Sequence, residues 1–252
     1  MFHFSKSIIL FIACIAVMTP SIVSAADFRV DNEVYVGDQK EPSSRSATLF
    51  HKGVIYDFLD GTPEVIIYRP AQGQFDIINM KSGLRTAIPV QSVESFVTQL
   101  QKQALQSKHP QIRWMADPKF KEQWFGDQSR LVLTADTCAY SLGLIAPKDP
   151  TITAQYAGFA DAVARLNALV SQGARPPFPR LAVNRAIARY RAMPSEISLM
   201  IRPDPNTDPL HLKSVHKLVS LTESDLKRIQ NAEHFAKSFK TVQFTEYQKA
   251  LR

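Results

Sequence analysis

After Ala26 the hydrophobic positions come in short bursts, spaced about ten residues apart as in an antiparallel meander. The bursts are Ser46–Phe50, Val54–Leu59, Glu64–Tyr68, Gln74–Ile78 and Leu84–Ile88, and Asp27–Val36 reads as an earlier strand. Between them stand Lys52-Gly53, Asp60-Gly61-Thr62-Pro63, Pro70-Ala71-Gln72-Gly73 and Lys81-Ser82-Gly83. Glycine supplies positive φ at such points and proline presets φ for a turn. In Val54–Leu59 five of six side chains are apolar or aromatic, and in Glu64–Arg69 four of six are. A sheet wet on one face alternates apolar with polar. These two strands do not, so both of their faces should be covered. A curved sheet with an apolar face lining a cavity would use Phe58, Ile66 and Tyr68 as its ligand-binding residues.

The period then lengthens. Val93, Phe96, Val97, Leu100, Ala104 and Leu105 fall on one helical stripe, with Ser92 as the expected N-cap and Pro110 as the stop. Strands are expected at Lys119–Phe125, Leu131–Ala135 and Cys138–Ile145. Asp149-Pro150 then opens a helix with the buried stripe Tyr156, Phe159, Ala160, Val163, Leu166 and Val170. A shorter helix is expected over Arg180–Arg191, a hairpin over Glu196–Ile201 and Leu210–Ser220, and a last helix from the capping box Thr222–Asp225 to Phe239. The order gives an α+β fold, a curved antiparallel sheet (meander) packed with several helices. Strictly alternating βα units are absent.

The N-terminus changes the picture. Lys6, the apolar run Ile8–Met18 and the small residues Val23-Ser24-Ala25 have the three-part form of a secretory signal. The run is shorter than the ~20 residues that a membrane span needs. Residues 1–25 therefore read as a signal peptide and 26–252 as one α+β domain, exported to the periplasm or secreted, with no transmembrane anchor after cleavage. Processing as a lipoprotein at Cys14 is the other route. Cleavage after Ala25 removes Cys14 and leaves Cys138 as the one cysteine, so no internal disulfide is expected in the chain it releases.

Composition adds little chemistry. Of 252 residues, 45% are hydrophobic, 21% are charged and the formal net charge is +7, which suits an ordinary globular chain. No His-Glu-x-x-His, paired Cys-x-x-Cys, dense acidic loop or glycine-rich phosphate signature occurs, so neither a metal nor a cofactor is expected. Ala139-Tyr-Ser141-Leu-Gly143 differs from a nucleophile elbow by its first residue, but strand residues follow where that turn needs a helix. Asp57 and Asp76 are candidates to pair across the sheet. Six arginines and no acid lie between Ala162 and Ser195. Arg180, Arg185 and Arg189 are the expected patch for an anionic envelope component or partner. Nucleic acid is not expected as a partner.

Ala47–Leu59 and Val65–Phe75, together with Arg165-Leu-Asn-Ala168 and Arg180–Asn184, resemble segments in a group of exported bacterial proteins with no assigned function. That resemblance implies export and no activity. Asp60-Gly61 leading into Ile66-Ile67-Tyr68 and Pro70 is similar to a hairpin of periplasmic lipoprotein carriers. It implies a curved antiparallel sheet with helices over its concave face and an apolar, lipid-like ligand. The expectation is a non-enzymatic binding or carrier module. The alternatives are an interaction protein that docks through its arginine-rich helices, or a hydrolase using Ser141 or Cys138. Export makes the first testable prediction. Exchanging Ile12 and Ile15 for aspartate should leave the precursor in the cytoplasm, because a carboxylate is costly in an apolar environment. N-terminal sequencing of the wild-type exported product should begin at Ala26.

Overall fold

The structure, a computed structural model, describes residues 25–171, 173, 175–202 and 206–250. The leader read at 1–25 lies outside the described residues except for Ala25. Among the described residues twelve strands form one curved, mostly antiparallel sheet. The first six run as a meander: β1 (Phe28–Val36), β2 (Ser44–His51), β3 (Val54–Leu59), β4 (Glu64–Arg69), β5 (Gln74–Asn79) and β6 (Leu84–Pro89). Helices α1 (Val90–Leu105) and α2 (Pro110–Ala116) lead to β7 (Lys121–Phe125), β8 (Arg130–Thr134) and β9 (Cys138–Ile145). Then come α3 (Pro150–Val170), α4 (Phe178–Arg189), β10 (Met193–Ile201), β11 (Leu210–Val219), α5 (Glu223–Ser238), β12 (Lys240–Thr241) and α6 (Phe244–Ala250). The spatial order is β12-β6-β5-β4-β3-β2-β1-β11-β10-β9-β8-β7.

Local chemistry explains most boundaries. Lys52 and Gly53 both take positive φ, at 50° and 75°, between paired His51 and Val54. That is the two-residue turn whose twist matches the strands it joins. Asp149 caps α3 by accepting from the Thr151 N–H at 2.8 Å, with Pro150 following. Thr222 and Asp225 close the capping box of α5. Three expectations need correction. Helix α1 starts at Val90 directly from Pro89, two residues before Ser92, because β6 runs straight into it. Pro110 does not merely stop α1; it opens α2, where its missing N–H costs nothing at the first helical position. Helix α4 begins at Phe178 and ends at Arg189, where Arg191 turns the chain at φ 50° into β10.

The seam of the sheet is the pairing of β1 with β11, from Arg29↔Val219 to Val36↔Leu212. It joins the meander β1–β6 to a second one, β7–β11. On one face α3 packs Tyr156, Phe159 and Ala160 on Phe28, Val30, Phe50 and Ile55. Helices α1 and α6 extend that layer over Phe75, Ile77 and Ile88, and α4 extends it over Leu131, Leu133, Tyr140 and Leu142. On the other face α5 lays Ile229, Ala232 and Ala236 on Leu49, Tyr56, Val65 and Ile67. The two central strands of the first meander are therefore helix-covered on both sides, which accounts for their unbroken apolar runs. Beyond β1 that second face carries Arg130, Glu196 and Lys213, and Lys213 pairs with Glu196 at 2.9 Å. No helix of the described residues is long and apolar enough to cross a membrane.

Helix α5 is held by charge as well as by contact. The Arg69 guanidinium bridges Asp76 at 3.1 Å and Glu233 at 2.9 Å, and the Tyr56 hydroxyl donates to Glu233 at 2.6 Å. The Asp76 side chain is only 3% exposed. Removing one partner of a buried pair leaves the other charge uncompensated at about 3–5 kcal/mol. Arg85 at 3.7 Å and the Gln74 amide at 2.9 Å still face Asp76 in Arg69→Met, so that variant should lower unfolding free energy by about 2 kcal/mol, below the full cost of a lone buried charge, as measured by urea denaturation. Thr222→Ala, which removes only the cap, should cost about 1 kcal/mol.

Candidate ligand-binding cleft

Helices α2, α3 and α4 and the sheet leave a space between them. The result is a cleft of about 850 Å³. Its floor comes from the α3-facing side of four strands. Cys138 and Tyr140 of β9 lie beside Ile201 and Leu199 of β10, which lie beside Leu210 and Leu212 of β11. Ser214 of β11 sits between Ile197 and Val34 of β1. Trp114 and Met115 of α2, Ala164 and Asn167 of α3, and Pro176 and Pro177 before α4 form the walls. Leu199, Ile201, Leu212 and Val34 are only half-buried although they face the helices. Apolar surface left wet in this way costs about 25 cal/mol per Å².

A buried polar network lies at the seam beside the cleft, and Ser214 is its one member in the cleft lining. Asn32 Nδ2 donates to the Ser46 and Thr48 hydroxyls, both at 3.2 Å, which leaves Oδ1 to accept from His216 Nδ1 at 2.6 Å. The other ring nitrogen, Nε2, then accepts from the Ser214 hydroxyl at 3.1 Å. The Tyr156 hydroxyl stands 3.2 Å from Nδ1, and Thr48 donates to Asp57 at 2.7 Å. Burial holds the His216 pKa down to about 3, with the charge of Arg180 adding to the effect. Burial pushes Asp57 in the opposite direction, above the usual carboxylate range. Ser214, His216 and Asn32 have the connectivity of a hydrolase relay. Yet Ser214 is mid-strand with ladders on both sides, so no neighbouring N–H is free to hold an oxyanion. So weak a base is also ill-matched to neutral pH. The network ties β1, β2, β3 and β11 together.

The sequence-predicted residues are scattered by the fold. Ile66 and Tyr68 lie on the α3 face, where Tyr68 stacks on Phe75 at 4.6 Å. Phe58 lies on the α5 face beneath the Arg228 guanidinium, 4.2 Å from its ring centroid. The three do not share a cavity, because the register pairs Phe58 with Val65, and Ile66, the next residue of that strand, points to the opposite face. Asp57 and Asp76 are separated for the same reason. The arginines disperse too. Arg180 lines the cleft, Arg185 lines a smaller pocket with Glu94 and Arg165, and Arg189 pairs with Glu122 on β7. Ser141 faces the open side, where Arg130 donates to it at 2.7 Å. Cys138 reaches the cleft, but burial raises its thiol pKa and leaves it less ionised. Sequence reasoning missed Trp114, Tyr140, Leu199 and Ser214. Only the half-polar alternation of β9 and β11 hinted at them.

No protein-family model and no curated protein matches the chain.

The His216 network makes stability depend on pH. The unfolded imidazole takes up a proton near its ordinary value of 6.5, whereas the folded one resists until about 3. The unfolded state thus binds more protons across that window, and stability present above pH 6.5 is lost as pH falls. Glu196, Asp225 and Glu233 are held below their ordinary values, which are 4.5, 3.8 and 4.5, so they act lower in the range. Between pH 6.5 and 5 the fall should therefore be reduced in His216→Gln, as read by the urea midpoint at each pH.

Proposed function

We propose that this chain is a non-enzymatic binding protein that shelters an apolar, chain-like ligand in the cleft between α2, α3 and α4, and that it works outside the cytoplasm. The observation that carries this is the cleft itself. Its size falls in the range of about 300–1,000 Å³ typical of small-molecule sites, and its lining is mainly apolar. Burying about ten methylenes at ~0.8 kcal/mol each matches the ~8 kcal/mol of a micromolar complex before ordering costs. The signal-like segment at Ile8–Met18 supports export. Docking through a single arginine patch has less support, because Arg180, Arg185 and Arg189 stand apart.

A fluorescent acyl-chain probe should bind the purified protein saturably, at one site, with a dissociation constant in the micromolar range. Leu212→Trp fills the floor of the cleft from a half-buried position and should weaken the probe at least tenfold without lowering the thermal midpoint. Wild-type protein that shows no saturable binding would overturn the proposal.

A further inference from the structure

Two groups in the cleft are left incomplete by the fold. The first is Arg180, in the first turn of α4. Its Nε donates to Asn184 Oδ1 at 3.0 Å, and Asn184 Nδ2 donates to Asp161 Oδ1 at 2.9 Å. Asp161 is in turn paired with Arg165 at 3.5 Å. A neutral amide thus holds Arg180 by one nitrogen. Among the described residues no carboxylate stands within ion-pair distance of its guanidinium. Arg180 lines the cleft together with Tyr140, Leu199 and Ser214.

The second is Tyr140, which is only 7% exposed and lines the cleft. Its ring packs edge-on against Phe120 at 5.8 Å. Its hydroxyl has no hydrogen-bond partner among the described residues, although Tyr56, Tyr156 and Tyr247 all have one. The hydroxyl is not sealed in the core but opens onto the cleft, where an occupant can accept from it. Burial pushes Tyr140 up to about 12, so it remains a donor at any physiological pH. Tyr140 and Arg180 line the same cleft, so the free hydroxyl and the free cation face one cavity.

A donor that needs an acceptor beside a cation that needs an anion, within apolar walls, defines one kind of occupant. We infer that the ligand is a single-chain carboxylate, its head held by the Tyr140 hydroxyl and the terminal nitrogens of Arg180 and its chain lying on Leu199 and Leu212. This rests on the proposed binding function and specifies its ligand. A planar carboxylate offers one oxygen to each donor, and its single charge matches the one uncompensated guanidinium of the cleft interior. Arg175 is exposed and screened by solvent.

The experiment is calorimetric titration of the purified protein at pH 8 with decanoate, 1-decanol and decyl phosphate, which share one chain. Decanoate should bind at least tenfold more tightly than 1-decanol, the difference a charged hydrogen bond supplies, and more tightly than decyl phosphate. Arg180→Gln and Tyr140→Phe should each weaken decanoate several-fold and leave 1-decanol unchanged. Tyr140→Phe without ligand should unfold at the same temperature as wild type or higher, which separates a lost ligand contact from a damaged core. Equal binding of decanoate and 1-decanol, a preference for decyl phosphate, or an undiminished preference for decanoate in Arg180→Gln would overturn the carboxylate and leave the cleft's binding role standing. Failure of all three probes to bind would overturn both.

Discussion

Everything else in the molecule hangs on the ladder between β1 and β11. Each of the two meanders could close its own hydrogen bonds internally, but each would then end in an open edge at the middle of the sheet. Pairing Arg29–Val36 with Leu212–Val219 removes both edges at once. The Asn32–His216 hydrogen bond crosses the same line on the inner face, between residues 184 positions apart. On the opposite face Arg29 reaches the capping carboxylate Asp225 at 3.0 Å, which fixes where α5 begins. Burial works against the charge on Asp225, and the hydrogen bonds from Thr222 with the Arg29 charge outweigh it. One seam thus sets the position of the helices on both faces.

The placement of the helices decides where the sheet can hold a guest. Over β2–β5 both faces are filled, so the most apolar strands of the chain are spent on the core. Over β9–β11 one face is open to water, and the other is roofed by helices that leave a cleft. The strands richest in aromatic and β-branched residues are therefore the least suited to a site. The cleft instead draws on strands with ordinary alternation, whose inner rows stay half-covered. A similar logic governs the arginines of α3 and α4. Spacing along the helices scatters them around the axes, so that Arg180 alone enters the cleft while Arg185 and Arg189 serve other surroundings.

Strand positions in the first meander were legible because each turn carries its own chemistry, as Lys52-Gly53 shows. The start of α3 at Asp149-Pro150 and the box at Thr222–Asp225 were legible for the same local reason. What escaped was either short or distant. Helices α2 and α6 have seven residues each, too few for a periodic pattern to stand out, and Pro110 can stop one helix or start another. The β1–β11 register leaves no mark in sequence, since nothing near Asn32 announces His216. The cleft inherits that difficulty, for Tyr140, Arg180 and Ser214 come from three separate elements. The unbroken apolar runs of β3 and β4 did report correctly that both faces are covered. They did not report that helices, rather than a ligand, do the covering.

The separation of the two seam strands also orders events during synthesis. The β1–β6 meander is finished and free of the ribosome well before β11 has been translated. Until then β1 presents a row of unpaired N–H and C=O groups, the kind of edge that recruits strands from other chains. Protection in that interval cannot come from its final partner. It must come from the polar residues the strand itself carries: Arg29, Asp31, Asn32 and Glu33 interrupt the apolar pattern where a bare edge would be stickiest. The polar residues of β1, which tie the seam in the finished sheet, thus also suit the unfinished one.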